Sequence, residues 1–266
     1  MRLASIVSVL TTAVLACGCP GKGGAYKQPS NMPTAEDLVA QLVKTRESRK
    51  AFRAESVMDY WLGKQRVKGT VYVMGTSQRQ VRFNAISPQQ DVLADMACDG
   101  ANFALVDMQN NCQLTGPCNK QSIATLLRVE LEPEDVLHLA LGTVPVLGQP
   151  KGTVTWDATK GYERLKLESP EGTQNIVIDA REGRSDIVSS ELVGPDGKVV
   201  WSVENTDFEA VKDEAGGTHR LPAKTRFKSP AQQADLLVEW KERVVNPALD
   251  PAKFRVNIPD GLASCR

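Results

Sequence analysis

Six cysteines and two histidines are the residues of this 266-residue chain whose types could carry reactive chemistry, by thiol oxidation, acylation, metal binding or proton transfer. Cys17 and Cys19 lie near the start, and Cys98, Cys112, Cys118 and Cys265 lie in the body of the chain. A metal site needs several ligands at fixed spacing, and neither a CxxC pair nor an HExxH run supplies them. His138 and His219 stand far apart with no partner motif, so His138 reads as a partly covered surface histidine rather than a catalytic base. There is no Ser-His-Asp order and no Gly-rich phosphate loop, and no pair of carboxylates stands out. The expectation is a protein without enzymatic activity, metal or organic cofactor. An even number of body cysteines in an oxidising compartment points to disulfides. The short loop through Thr115-Gly116-Pro117 predicts Cys112 with Cys118, which leaves Cys98 for Cys265.

The first residues name that compartment. Met1-Arg2 forms a minimal positive region, and residues 3–16 are an apolar run too short to span a bilayer. The run ends in Val14-Leu15-Ala16-Cys17-Gly18-Cys19, which resembles a bacterial lipobox. Cys17 is the favoured lipidation site because the residues before it are consistently aliphatic, with Cys19 after Gly18 as the alternative. An ordinary cleaved signal with incidental cysteines is the remaining reading. The expected organisation is a signal peptide over 1–16, a Gly- and Pro-rich lipid-anchored tether over 17–33 and one domain over 34–266. Lys plus Arg and Asp plus Glu balance at 32 each with no block of like charge, which argues against nucleic acid and gives no polybasic membrane patch.

Alternating and helical patterns must position whatever the domain binds. Thr34 predicts an N-cap, with Asp37 three residues on and Leu38, Val39, Leu42 and Val43 at helical spacing towards Arg49. Strand patterns follow at 53–62, 67–74, 79–87, 92–98 and 102–108. Asp99-Gly100 reads as a tight turn that sets Cys98 opposite Ala101, Met96 opposite Phe103 and Ala94 opposite Leu105. Two short amphipathic helices are expected at 121–128 and 133–141, the second opened by Pro133 and stopped by Gly142. Residues 143–152 read as a crossover loop, and further strands are expected at 162–168, 175–180, 186–193, 198–204, 223–229 and 236–245. On these, Leu165, Leu167, Ile176, Ile178, Trp201, Val203 and Trp240 share one face. Arg164, Lys166, Lys224, Arg226, Lys228, Glu239, Lys241 and Arg243 occupy the other, solvated one.

About eleven strands make a sheet on the order of 50 Å wide, which must curl or split. Three helical segments are too short to blanket it. The expected fold is therefore mainly β (α+β): an open antiparallel half-barrel with a lid of short helices and an N-terminal helix. An apolar cavity would remain, with Met96, Phe103, Leu105, Leu137, Leu141, Leu165, Leu167, Ile176, Ile178, Trp201, Val203 and Trp240 as its candidate lining. Such a cavity holds lipid by burial.

The order of elements resembles the LolA and LolB lipoprotein-carrier superfamily, and its lipidated LolB-like branch most. The resemblance rests on SPQQDVLADMACDGANFALVD at 87–107, LRVELEPEDVLHLALGTVP at 127–145 and FRVNIPDG at 254–261. It implies an open barrel that holds acyl chains of lipids or lipoproteins, in a monomer anchored in the bacterial envelope, at the outer membrane facing the periplasm. In LolB a leucine protrudes just after a proline in the loop before this hairpin. Here Pro88 is followed by Gln89 and Gln90, so that apolar tip is lacking. The same fold could instead serve as an anchored module that recognises a protein or polymer.

Overall fold

The computed structural model describes residues 25–62, 65–127, 131–148 and 151–265. Cys17, Cys19, the expected signal and the first part of the tether lie outside the described residues. Helix α1 (Ala35–Ser48) begins at a reciprocal cap: Asp37 N donates to Thr34 Oγ1 and Thr34 N to Asp37 Oδ2, each at 3.1 Å. Strands β1 (Ala51–Leu62), β2 (Gln65–Thr76), β3 (Gln80–Ile86), β4 (Val92–Asp99), β5 (Asn102–Asp107) and β6 (Cys112–Pro117) follow. Helices α2 (Lys120–Leu127) and α3 (Pro133–Ala140) separate them from β7 (Lys151–Asp157), β8 (Tyr162–Ser169), β9 (Gly172–Asp179) and β10 (Asp186–Val193). The chain closes with β11 (Val199–Lys212), β12 (Thr218–Ser229), β13 (Ala234–Val245) and β14 (Ala263–Ser264).

All of these strands form one 14-stranded sheet in the order β14-β6-β5-β4-β3-β2-β1-β13-β12-β11-β10-β9-β8-β7. Only β14 runs parallel to its neighbour. The pairing of β1 with β13 joins two meanders side by side, while β7 and β14 remain at opposite edges. The sheet is open, mostly antiparallel and accompanied by the three expected helices. β6 stands where a short loop between Cys112 and Cys118 is expected, β7 begins inside the expected crossover loop, and β14 is a strand that the alternation does not pick out. β6 carries Gly116 and Pro117, weak strand formers, and β7 is an edge strand whose residues alternate only between exposed and half-buried.

Three local expectations are corrected. The β4–β5 turn is Gly100-Ala101 rather than Asp99-Gly100, so Cys98 faces Phe103 and Met96 faces Leu105. Asp99 Oδ1 accepts from Ala101 N at 3.0 Å and Asn102 N at 2.7 Å, and Gly100 supplies the φ of 104°. The Asp99 side chain thereby moves the turn on by one residue. The register moves by two, which leaves the inward face unchanged.

Arg243 is buried, not on the solvated face. The β1–β13 register shifts between Ala54 and Ser56, so Lys241 and Glu242 together oppose Glu55. This bulge reverses the alternation beyond Trp240 and turns Arg243 inward.

The disulfides join Cys98 to Cys118 and Cys112 to Cys265, not Cys112 to Cys118 and Cys98 to Cys265. Cys112 and Cys118 sit at opposite ends of β6, which an extended strand keeps too far apart to bridge.

The core has two parts. The larger lies between β1–β5, β11–β13 and the pair α2 and α3, and is filled by Phe52, Phe83, Met96, Ile123, Leu137, Leu141, Leu221 and Leu236 among others. The smaller lies between α1 and β8–β10, built from Leu38, Leu42, Val144, Leu165, Leu167, Ile176, Ile178 and Ile187. Each interior thus has its own helical cover.

Candidate functional site

Seven of the expected lining residues, Met96, Phe103, Leu105, Leu137, Leu141, Val203 and Trp240, are buried together in the larger core, and Trp201 packs half-buried against it. Leu165, Leu167, Ile176 and Ile178 belong to the smaller core under α1. The structure therefore divides the candidate lining between two interiors. Side chains occupy much of both.

The larger interior opens at one end through a groove of about 330 Å³. Met58 and Val71 form its buried base, and Tyr60, Ala85, Ile86, Leu93, Ala94 and Leu105 form its walls. Thr125 and Leu127 of α2 overhang it, while Lys68, Asp107 and Gln109 edge it. Leu105 is the one expected residue that lines it. Most of the others belong to β1 to β4, whose apolar positions also alternate in the sequence. At the mouth Val67 is 45% exposed.

The lid helices are held at several points. Asn119 Oδ1 accepts from Gln121 N at 3.0 Å and Ser122 N at 3.1 Å, so Asn119 caps α2 beside the Cys98–Cys118 bridge. At the start of α3, Glu132 N donates to Asp135 Oδ2 at 3.0 Å, and Glu134 accepts from Arg46 of α1 at 2.8 Å. Two arginines cap its far end. Arg243 Nη1 donates to Ala140 O at 2.9 Å, and Arg49 Nη1 donates to Leu141 O. Cations there satisfy free carbonyls and complement the negative end of the helix dipole. Gly142 then turns the chain with φ 62°, and a Cβ at that position would lie 2.5 Å from Pro222 Cδ.

Sequence patterning does not reveal the polar network beneath α3. Trp240 Nε1 donates to Thr225 Oγ1 at 3.1 Å, Thr225 Oγ1 to Asn205 Oδ1 at 3.0 Å, and Asn205 Nδ2 to Ile187 O at 2.9 Å. Arg243 lies 5.6 Å from the Trp240 ring centre and meets Glu209 at 3.1 Å. Burial holds the Arg243 guanidinium down at about 10, and it stays charged at neutral pH.

His138 is buried on α3, a correction to its reading as a surface residue. Its Nδ1 lies 3.0 Å from Thr143 Oγ1 and its Nε2 lies 3.5 Å from Glu134 Oε1. Burial, reinforced by Arg46, pushes its pKa from 6.5 down to about 4. The unfolded chain then binds this proton at a higher pH than the folded one. Stability present above about pH 6.5 is lost as pH falls towards 4, by an amount on the order of 3 kcal/mol. The carboxylates of Asp59, Asp99 and Asp179, held below their usual range by hydrogen bonds, titrate under this window, whereas burial raises those of Asp135 and Glu163, whose protonation adds stability as pH falls. Urea unfolding at about pH 7 and about pH 5 should therefore show a fall in stability that His138→Gln largely removes. Equal falls in both proteins would refute the buried neutral imidazole.

Among the described residues, no group of three or more His, Cys, Asp or Glu side chains is placed to hold a metal ion. No family model and no curated protein matches the chain in sequence. Solved structures do match in three dimensions. A LolA superfamily protein from Nitrosomonas europaea aligns with TM-score 0.54 and 10% identity, over 85% of this chain and 99% of that one. The chain has a LolA-like fold. A DUF1329 family protein from Desulfovibrio piger aligns with TM-score 0.54 and 11% identity, over 83% of this chain and 95% of that one. In this LolA-like fold the groove under α2 opens from the larger core, and α3 covers β1, β2 and β3.

Proposed function

We propose that this protein is a lipid-anchored bacterial envelope protein that binds acyl chains of lipids or lipoproteins, as a LolB-like carrier or receptor. The observation that carries the reading is the groove of about 330 Å³, mostly apolar in its lining, that opens onto the larger core of a LolA-like sheet. Its volume falls within the range of small-molecule sites. Burying about 200 Å² of acyl surface contributes roughly 5 kcal/mol without any directional contact.

The point where the tether meets the domain supports the same reading. Tyr26 N donates to Ala158 O at 2.7 Å, and Trp156 Nε1 donates to Tyr26 O at 3.1 Å. Ala158 follows the end of β7, and in the antiparallel order that end lies with the start of β1, whereas the groove lies at the end of β1. β1 is 12 residues long, about 40 Å. The residues from Cys17 to Tyr26 span at most about 30 Å. Anchored through Cys17, the monomer presents the groove away from its own membrane, towards cargo arriving through the periplasm. Pro88-Gln89-Gln90 supplies no apolar tip, and Val67 at the groove is the exposed apolar side chain there.

The test is organic extraction and mass spectrometry of protein purified without detergent, combined with displacement of a fluorescent acyl probe. Bound acyl lipid and saturable probe binding are expected. Gly69 lines the groove and a Cβ there meets nothing within 4 Å, so Gly69→Trp fills it and should weaken probe binding by about tenfold or more. A folded protein with no extracted lipid and no probe binding would leave the alternative, an anchored module of the same fold that recognises a protein or polymer.

A further inference from the structure

A second cavity, of about 370 Å³, lies between α1, the segment after α3 and the ends of β9 to β12. Its walls are apolar on one side, with Leu42, Val144 and Phe208 among them. The other side carries three arginines, Arg49, Arg184 and Arg220, against a single lining carboxylate, Asp186. These charges come from α1's C-cap, the β9–β10 turn and β12, so folding gathers them from distant parts of the chain.

Two of the three are paired with carboxylates and the third is not. Arg220 uses Nε on Asp186 Oδ2 at 2.5 Å and lies 5.5 Å from the Phe208 ring centre. Arg184 pairs with Glu182 at 2.5 Å and approaches Asp179 at 3.5 Å. Arg49 is half-buried, makes one hydrogen bond, to Leu141 O, and among the described residues forms no ion pair. A guanidinium offers five N–H donors, so most of those on Arg49 are unused. Loss of hydration holds its pKa down at about 10, partly offset by Asp186, which leaves it a cation at neutral pH. A shielded cation with spare forked donors is suited to a planar or tetrahedral oxyanion.

We propose that this cavity binds an organic oxyanion, a carboxylate or phosphate attached to a short apolar group. The charged head lies among Arg49, Arg220 and Arg184, and the apolar part lies against Leu42, Val144 and Phe208. The site is separate from the groove under α2, and its lining shares no residue with it. Its head group could come from a lipid or from a soluble anion, and both present the same oxygens to the arginines.

Calorimetric titration of the full protein carrying Gly69→Trp, which fills the groove under α2, with octyl phosphate, octanoate, inorganic phosphate and octyl glucoside tests the assignment. Octyl phosphate and octanoate should bind, and neutral octyl glucoside at least about tenfold more weakly. Weaker binding of inorganic phosphate than of octyl phosphate supports the apolar half of the site, and equally tight phosphate binding would overturn that half. Arg49→Gln should reduce octyl phosphate affinity by about tenfold. Thr45→Trp, which fills the cavity from α1 without removing a charge, should abolish the binding that remains in the Gly69→Trp protein. Equal affinity for octyl glucoside, no binding of either anionic amphiphile, or undiminished affinity in folded protein carrying both Thr45→Trp and Gly69→Trp would overturn the proposal.

Discussion

Replacing Cys112 and Cys265 together with alanine should lower the unfolding free energy by up to about 5 kcal/mol, against up to about 3 kcal/mol for Cys98 with Cys118. The reason is chain entropy. The first bridge closes a sequence separation of 153 residues and the second one of 20. Each bridge removes unfolded conformations in proportion to the logarithm of the loop it closes. A local effect adds to the first. β14 is two residues long and pairs with β6 at Ala263 and Ser264, with Cys265 N donating to Gln113 O at 2.9 Å. Without the disulfide this short parallel pairing should fray and bare the edge of β6. Denaturant unfolding gives the energies, and hydrogen exchange at β6 amides reports the fraying. A non-reduced digest that links Cys112 to Cys118 would contradict both predictions at once.

Arg243→Ala should cost about 3 kcal/mol or more, an unusual loss for an arginine in a strand rich in charge. The side chain has 0% exposure, caps Ala140 O and packs by the Trp240 ring, so its removal leaves a void and a carbonyl without its donor. Its carboxylate partner is different. Glu209 is 44% exposed, and Glu209→Gln should cost no more than about 1 kcal/mol because solvent screens the pair. Arg243→Met keeps much of the volume and should recover part of the loss. Faster exchange of α3 amides in Arg243→Ala would show that the arginine pins the lid helix. A change within about 0.5 kcal/mol would instead put Arg243 on the solvated face, where unbroken alternation along β13 places it.

These predictions differ in how far the sequence leads to them. The capped start of α1, the Pro133 start and Gly142 stop of α3, and the inward faces of β4, β5, β8 and β9 are legible residue by residue. Each rests on contacts within a few positions. The groove is half legible. Its residues alternate on β1 to β4, but nothing local states that the end of the first meander stays open while α2 and α3 close the rest. The arginine cavity is not legible, because Arg49, Arg184 and Arg220 each look like an ordinary surface charge until the fold brings them together.

By itself the sequence determined the types of most elements, most of the apolar and polar faces, and the presence of paired cysteines. Residue period, capping groups and turn residues encode these directly. Only the tertiary structure decided that β1 lies beside β13, that a bulge opposite Glu55 turns Arg243 inward, and which thiols meet. It also decided that the apolar residues form two interiors rather than one. The physical reason is range: alternation fixes a side chain's face only relative to near neighbours, and a single extra residue in one strand reverses it without any mark in the composition. Strand partners and cysteine partners depend on distances across the whole sheet, and those exist only once it has formed.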